Sequence, residues 1–407
     1  MRTYEEHLQA VRTAVGTPAV VTRSVDSSCG MVLAHSVTAR YDQPRFDNSQ
    51  MDGYALASAA SATLRVGTTV AAGDTPQPIA SGVATPIMTG AMVPPGTVAI
   101  VPVEDCVPPH FVAAGGTVRV PEVPAGRYIR RAGSDVAAGT SVLEEGTRLS
   151  AAGIGTLAAQ GIAEVAVYAP ARILVVTGGA EIAGDGPIES NRRSIAADGE
   201  GNAGGGALGQ AQIPDSNAPM LAAMAREYGI EIVGFLRTND DPAALRAALE
   251  AAVRQHGPDA IVTSGGISHG KFEVVRQILD KDGWFGHVAQ QPGGPQGISQ
   301  LDGVPVLCLP GNPVSTLVSF RLYVAPVLGR VPQTHWARLT TGVQGLDGRE
   351  QFRRAVVSCS PEGFMQAEVL AGAGSHLLAQ AARATALVRI PAGASLAPGD
   401  VVEVFPL

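Results

Sequence analysis

The sequence predicts a multidomain α/β + β protein built around a doubly wound, mostly parallel sheet. Three observations carry this expectation. From about residue 170 to 330, short apolar runs alternate with glycine turns and helical segments, the rhythm of a parallel sheet covered on both faces. On either side, at about 30–165 and 333–407, Val/Ile/Thr-rich runs separated by turn residues replace that rhythm, as in compact β units. With 407 residues, 45% of them apolar, the chain exceeds one ordinary core and can fill several.

The opening "MRTYEEHLQAV" reads as a helix, with Thr3 and Glu6 at capping-box spacing and Leu8, Val11 and Val15 on one face. Short β runs follow, among them "VGTTVAAGDTPQP", "GTVAIVPVEDCV" and "GGTVRVPEVPAG". They read as a unit inserted into, or docked on, a part holding the first helix and "LSAAGIGTLAAQGI". In the central part, "ARILVVTGG", "IEIVGFLR", "DAIVTSGG" and "PVLCLPGN" are strands. "SNAPMLAAMAREYG" is a helix with a Ser/Asn start and a stop at Gly229. "DDPAALRAALEAAVRQHG" is a helix capped by Asp241 with Pro242 at its first position. "FEVVRQILDKDG" and "PVSTLVSFRLYVAPVL" supply two more helices. Residues 183–207, rich in Gly, Ala and polar groups without periodicity, read as a mobile surface loop.

Composition narrows the function. A net charge of -7 argues against a nucleic-acid or anionic-membrane binder, which needs a basic face. No apolar run reaches the ~20 residues of a membrane span, and the start lacks a basic-then-apolar signal segment. The four cysteines are scattered without a C-x-x-C pair, which points to a reducing cytoplasm.

The chemistry is expected at the carboxyl edge of the parallel sheet, where open α/β sheets bind ligands. Three strands deliver glycine-rich turns there. They hold Thr177 and Gly178; Ser264, Gly265, Gly266, Ser268 and Gly270; and Pro310, Gly311, Asn312, Pro313 and Ser315. Missing side chains let backbone N–H groups approach an anion, and a helix start adds partial positive charge. That suits a phosphate-bearing ligand, although no turn fits a dinucleotide or Walker pattern. Asp240 and Glu273 belong to the same edge, and carboxylates beside phosphate-cradling turns suit a hard cation such as Mg²⁺.

Eight stretches occur in order along the chain: "FDNSQMDGYA", "IMTGAMVPPG", "YIRRAGSDVAAG", "GQAQIPDSNAPML", "NDDPAALRAAL", "TSGGISHG", "LPGNPVSTLVSF" and "AGAGSHLL". Together they resemble the molybdopterin molybdenumtransferase (MoeA) family, which is also similar to the E domain of gephyrin. The resemblance implies Mg²⁺-assisted insertion of molybdate into adenylylated molybdopterin, with AMP released. It also implies a cytoplasmic, elongated homodimer with its site in a cleft between subunits. Four domains are implied: an elongated N-terminal domain (1–40 with 125–168), an inserted β domain (41–124), the molybdopterin-binding α/β domain (169–332) and a β-barrel-like domain (333–407).

Carried over by motif, Asp52, Asp240 and Glu273 match catalytic carboxylates, the last usually Asp in the family, with Asp240 and Glu273 also matching metal ligands. Thr89, Asp135 and Ser375 match polar substrate-site positions, and Glu181 matches an acidic one after a one-residue shift. Arg130 and Arg131 would offset the repulsion between carboxylates and anionic substrates. His287 and Gln291 stand in the molybdate-binding stretch where many members carry lysine, and Gly294 replaces a further one. Two other readings remain open. A molybdopterin adenylyltransferase would lack the flanking β domains, and a divergent pterin-binding paralogue would bind without turnover. Molybdate and tungstate are too alike in size and charge for the sequence to separate.

Overall fold

The computed structural model describes residues 1–179, 182, 212–238, 241–267 and 274–407. The whole of the expected loop 183–207 and the candidates Glu181, Asp240, Ser268, Gly270 and Glu273 lie outside the described residues. Residues 1–18 with 170–407 form one compact unit, and residues 19–169 form a second.

The chain opens with helix α1 (Tyr4–Val15), whose capping box is formed as expected: Thr3 Oγ1 accepts from the Glu6 amide, and Glu6 accepts from the Thr3 amide. Its apolar face, centred on Val11, packs in the core of residues 170–407. Residues 1–18, expected with 19–40 and 125–168, thus belong with the α/β sheet.

In the unit 19–169, strands β1 (Gly53–Leu56), β2 (Ala62–Val66), β3 (Val83–Ile87), β4 (Ala99–Pro102) and β5 (Thr117–Val120) form one sheet in the order β4-β1-β3-β2-β5. All neighbours are antiparallel except β2 and β3. Successive side chains of a strand point to opposite faces. Tyr54 and Leu56 accordingly fill one core cluster while Ala55 joins another. A further core of Val25, Leu33, Leu157 and Val167 lies between the strand pair Val20–Ser24 and Glu164–Tyr168 and helix α2 (Ala151–Ala159), which Ser150 caps through the Gly153 amide.

The larger unit is built on β6 (Arg172–Thr177), β7 (Glu231–Arg237), β8 (Ala260–Ser264), β9 (Trp284–His287), β10 (Pro295–Leu301) and β11 (Val304–Leu309), in the order β7-β6-β8-β11-β10-β9. The first four run parallel; β10 and β9 complete the sheet antiparallel, two edge strands the sequence reading did not assign. Helices α3 (Asn217–Glu227) and α6 (Pro313–Ser319) join α1 on one face; α4 (Pro242–His256) and α5 (Val274–Leu279) cover the other. Along β6, Ile173 and Val175 face the first layer while Leu174 and Val176 face the second. The sheet is therefore doubly wound, as the sequence predicted.

Two helix details differ from expectation. Ser216 makes no side-chain cap to α3; Asp215 instead accepts from the amides of Asn217 and Ala218. The segment 313–328 is interrupted by a π-helical stretch, Phe320–Val324, where the Ala325 amide bonds to the Phe320 carbonyl. Pro326 follows directly and has no N–H to give to the preceding turn, so a local change of helical pitch meets its constraint.

Residues 335–406 close into a five-stranded barrel of β12 (His335–Leu339), β13 (Glu350–Cys359), β14 (Met365–Val369), β15 (Ala386–Ile390) and β16 (Val401–Pro406). The circuit runs β13-β14-β12-β16-β15 and back to β13. Gln290 and Gln291 add a short parallel strand beside Glu350 and Gln351 of β13, tying the barrel to the sheet.

Candidate functional site

Register brings the ends of the parallel strands together. Thr177 lies opposite both Ser264 and Arg237, and Ser264 lies opposite Leu309. β6 is flanked by β7 on one side and β8 on the other, so the chain leaves it in both directions. That reversal opens a crevice beyond the carboxyl ends of β6 and β8.

The three glycine turns meet there. Gly265 and Gly266 adopt φ of +98° and +70°, conformations that cost a residue with a Cβ. A Cβ on Gly311 would lie 3.2 Å from Gly265 Cα, and one on Gly265 would lie 3.0 Å from the Gly178 carbonyl oxygen. Backbone contact at this range leaves no room for side chains.

A short polar segment before α3 fastens the turns to one another. Thr177 Oγ1 donates to Asp215 Oδ2 at 2.7 Å, while Asp215 Oδ1 takes the two cap amides at 2.9 and 3.0 Å. Asn217 Nδ2 donates to Ser264 Oγ at 2.9 Å and to the Gly311 carbonyl at 2.7 Å. Ser264 Oγ also lies 3.0 Å from Thr316 Oγ1, which donates to the Pro310 carbonyl at 2.7 Å. Arg237 Nη2 stands 4.0 Å from Asp215 Oδ2. Because a carbonyl only accepts, the Gly311 contact fixes which end of the Asn217 amide is nitrogen. Its Oδ1 is left buried without a hydrogen-bond partner among the described residues.

Asp215, Asn217, Arg237 and Thr316 were not singled out from the sequence. The signal was present in "PDSN", inside the stretch "GQAQIPDSNAPML" that carried the family resemblance without a role for these side chains.

The third turn receives the barrel. Asn312 Nδ2 donates to Ser375 Oγ at 3.0 Å, and the Val314 amide donates to the Ser375 carbonyl at 3.2 Å. Arg354 holds the loop that carries Ser375, donating at 2.6 Å to the carbonyls of both Gly372 and Leu377. Pro313 takes the first position of α6, and Ser315 is buried one turn in. On the neighbouring loop, Gln290 Nε2 donates to the carbonyls of Pro292 and Gly293, and Gln290 Oε1 accepts from the Tyr323 hydroxyl. Gln291 Oε1 accepts from Gln351 Nε2 at 2.7 Å. His287 ends β9 with its side chain exposed.

The remaining candidates belong to the unit 19–169. Asp52 Oδ1 accepts from both the hydroxyl (2.7 Å) and the amide (2.6 Å) of Thr89. Those bonds, the hydroxyl first, hold its carboxyl below the usual carboxylate range, so it is ionised at neutral pH. Both residues are exposed. Gly53 next to it is required by close approach, since a Cβ would fall 2.0 Å from the Val101 carbonyl oxygen. Asp47 engages Arg131 Nη1 at 2.5 Å and the Ala132 amide at 2.8 Å. Arg130 Nη1 donates to Asn48 Oδ1 at 3.3 Å. Arg131, read from sequence as an anion-facing charge, thus has an internal carboxylate partner. Asp135 is exposed in the following turn, which bonds back to the Gln43 carbonyl.

A doubly wound sheet with meeting glycine turns at its switch point, joined to a β barrel, defines a multidomain α/β protein whose sheet edge has the form of a ligand crevice. Comparison with known proteins gives the particular family. Residues 2–161 match the MoeA N-terminal region (domain I and II), 174–330 a probable molybdopterin binding domain, and 337–407 the MoeA C-terminal region (domain IV). A Mycobacterium tuberculosis protein named molybdopterin molybdenumtransferase 2 is 36% identical, over 99% of this chain and 97% of its own. The Haemophilus influenzae molybdopterin molybdenumtransferase is 30% identical over 87% of this chain and 85% of its own. The crystal structure of a molybdopterin biosynthesis MoeA protein from Pyrococcus horikosii superposes with a TM-score of 0.76 at 28% identity, covering 99% and 98% of the two chains. The chain belongs to the MoeA family of molybdopterin molybdenumtransferases. The flanking matches on both sides of 174–330 do not fit the adenylyltransferase alternative, which predicted a bare α/β domain.

Proposed function

We propose that this protein inserts molybdenum from molybdate into adenylylated molybdopterin, releasing AMP and forming molybdenum cofactor. The observation that supports this most is the Asp215–Asn217 segment drawing three glycine turns into one cradle at the crevice of a molybdopterin-binding-type sheet. Backbone amides of the turns hold the pyrophosphate-bearing substrate in this reading, with the buried Thr177 and Ser264 hydroxyls fixing the turns from behind, and the buried Asn217 Oδ1 accepts a ligand N–H.

Asp52 acts as an ionised carboxylate poised by Thr89, with Asp135 and Arg130 as further substrate contacts. Ser375 and the Pro310–Ser315 turn, with Glu181, Ser268 and Gly270, are further substrate contacts in this reading, and His287 and Gln291 take molybdate. Asp240 and Glu273 fit Mg²⁺ by donor chemistry, since hard carboxylate oxygens and substrate phosphates together satisfy that ion without an all-protein cage. Among the described residues no group of three or more His, Cys, Asp or Glu gathers to hold a metal by itself. Bound magnesium would neutralise charge on the pyrophosphate as the P–O bond breaks.

The same reading includes a cytoplasmic homodimer and a four-domain division, with residues 1–18 counted with the α/β domain. A second reading, binding without turnover, rests on one observation: Gln291 replaces a lysine and its amide oxygen is already engaged by Gln351. Purified protein given adenylylated molybdopterin, molybdate and Mg²⁺ separates the two. Release of AMP together with active cofactor is expected; tight binding with no product would overturn the first reading in favour of the second.

A further inference from the structure

A cleft of about 720 Å³ lies between α1 and the antiparallel edge of the sheet, and the proposed reaction does not use it. Its walls include Arg2, Gln9 and Thr13 on one side and Lys281, Trp284 and Gln300 on the other. No carboxylate lines it among the described residues, in a chain whose net charge is -7.

Arg2 is fixed at both backbone ends: its amide donates to the His287 carbonyl at 3.2 Å, and its carbonyl accepts from the Ala289 amide at 2.8 Å. The guanidinium lies 3.8 Å from the centroid of the Trp284 ring. Its Nη1 is buried without a hydrogen-bond partner among the described residues. A buried charged donor left unpaired is costly, so a site holding one is made for an acceptor. Glu6, in the first turn of α1, is the carboxylate whose charge acts on Arg2, and it does not line the cleft. The buried His7 is held neutral by burial first and by the Arg2 charge second, so it adds no second positive charge beside Arg2.

We propose that this cleft is a second ligand site that takes a small oxyanion, a phosphate or a carboxylate, between Arg2 and Lys281. The polar groups of Gln9, Thr13 and Gln300 supply orientation, and the Trp284 ring positions the guanidinium. The site depends on none of the residues assigned above to the glycine-turn cradle, so it stands or falls separately from the proposed reaction.

The chain has two tryptophans, and Trp336 is 64% exposed. In a Trp336→Phe background, emission therefore reports on Trp284 alone. The full-length protein is titrated at constant ionic strength with inorganic phosphate in one arm and succinate in the other. A saturable emission change in either arm supports the site, and the arm that responds names its source. Arg2→Gln, and separately the exposed Lys281→Gln, should each weaken that response about tenfold or more, as loss of a charge-assisted hydrogen bond requires. Emission that fails to saturate in both arms, or saturation undiminished in both folded variants, overturns the proposal.

Discussion

Asp215→Ala tests whether one carboxylate organises the cradle. The side chain is 8% exposed and makes three hydrogen bonds, two to the amides that open α3 and one to the buried Thr177 hydroxyl. Loss of the cap costs about 1 kcal/mol. A buried hydroxyl left unsatisfied costs about 1–3 kcal/mol. The sum, about 2–4 kcal/mol, is large against the marginal stability of a domain. Asp215→Asn should cost far less, about 0.5–1.5 kcal/mol, because one amide oxygen can still cap α3 and Thr177 can reverse to accept from the amide nitrogen. Denaturant titration gives the global difference. Hydrogen exchange of the peptide 212–228 shows where it falls, which matters because several units need not unfold together. The alanine variant should open this segment and weaken binding of adenylylated molybdopterin, with the asparagine variant between it and the native protein. Equal stability of the alanine and native proteins, or opening confined to the barrel, would refute the claim that Asp215 ties the turns.

Asp52→Ala should abolish AMP release and leave the melting temperature within about 1 °C, since the side chain is exposed; retained turnover would sink its assignment. Because the Thr89 bonds lower the Asp52 pKa, their contribution is present above the ordinary carboxylate range and lost as pH falls through the folded value. The Thr89 amide resonance followed through acid titration should move only below that range. His7 falls to about 3 from 6.5, so its contribution is complete above 6.5 and is lost on acidification toward 3. His7→Gln should flatten the stability–pH slope in that window, a difference on the order of 4 kcal/mol by its acid end; an unchanged slope would refute it. Gly311→Ala places a methyl against the Gly265 backbone and should destabilise by about 1–3 kcal/mol while weakening ligand binding; a melting temperature and affinity equal to the native protein would show the turns are not in contact.

Much of this was legible from short-range pattern. The α1 capping box, Asp241 as the α4 cap with Pro242 behind it, Gly229 after α3 and the four parallel strands all follow from side-chain chemistry within a few residues. The antiparallel strands β9 and β10 were missed because "HVAQQPGGPQG" carries prolines and glycines that score as loop, and only pairing with β11 makes a strand of its continuation. Asp215 was given no role for a related reason: its Thr177 partner lies 38 residues upstream.

By itself the sequence determined the layers, the parallel strands with their helices and the three glycine turns, because periodicity and turn chemistry are local properties of the chain. Tertiary structure decided that Thr177, Ser264 and Leu309 end on one rung, that Asp215 and Asn217 bind the turns together, and that α1 packs on the sheet. Strand register and long-range hydrogen bonds depend on which distant segments meet, and no local pattern in the chain encodes that choice.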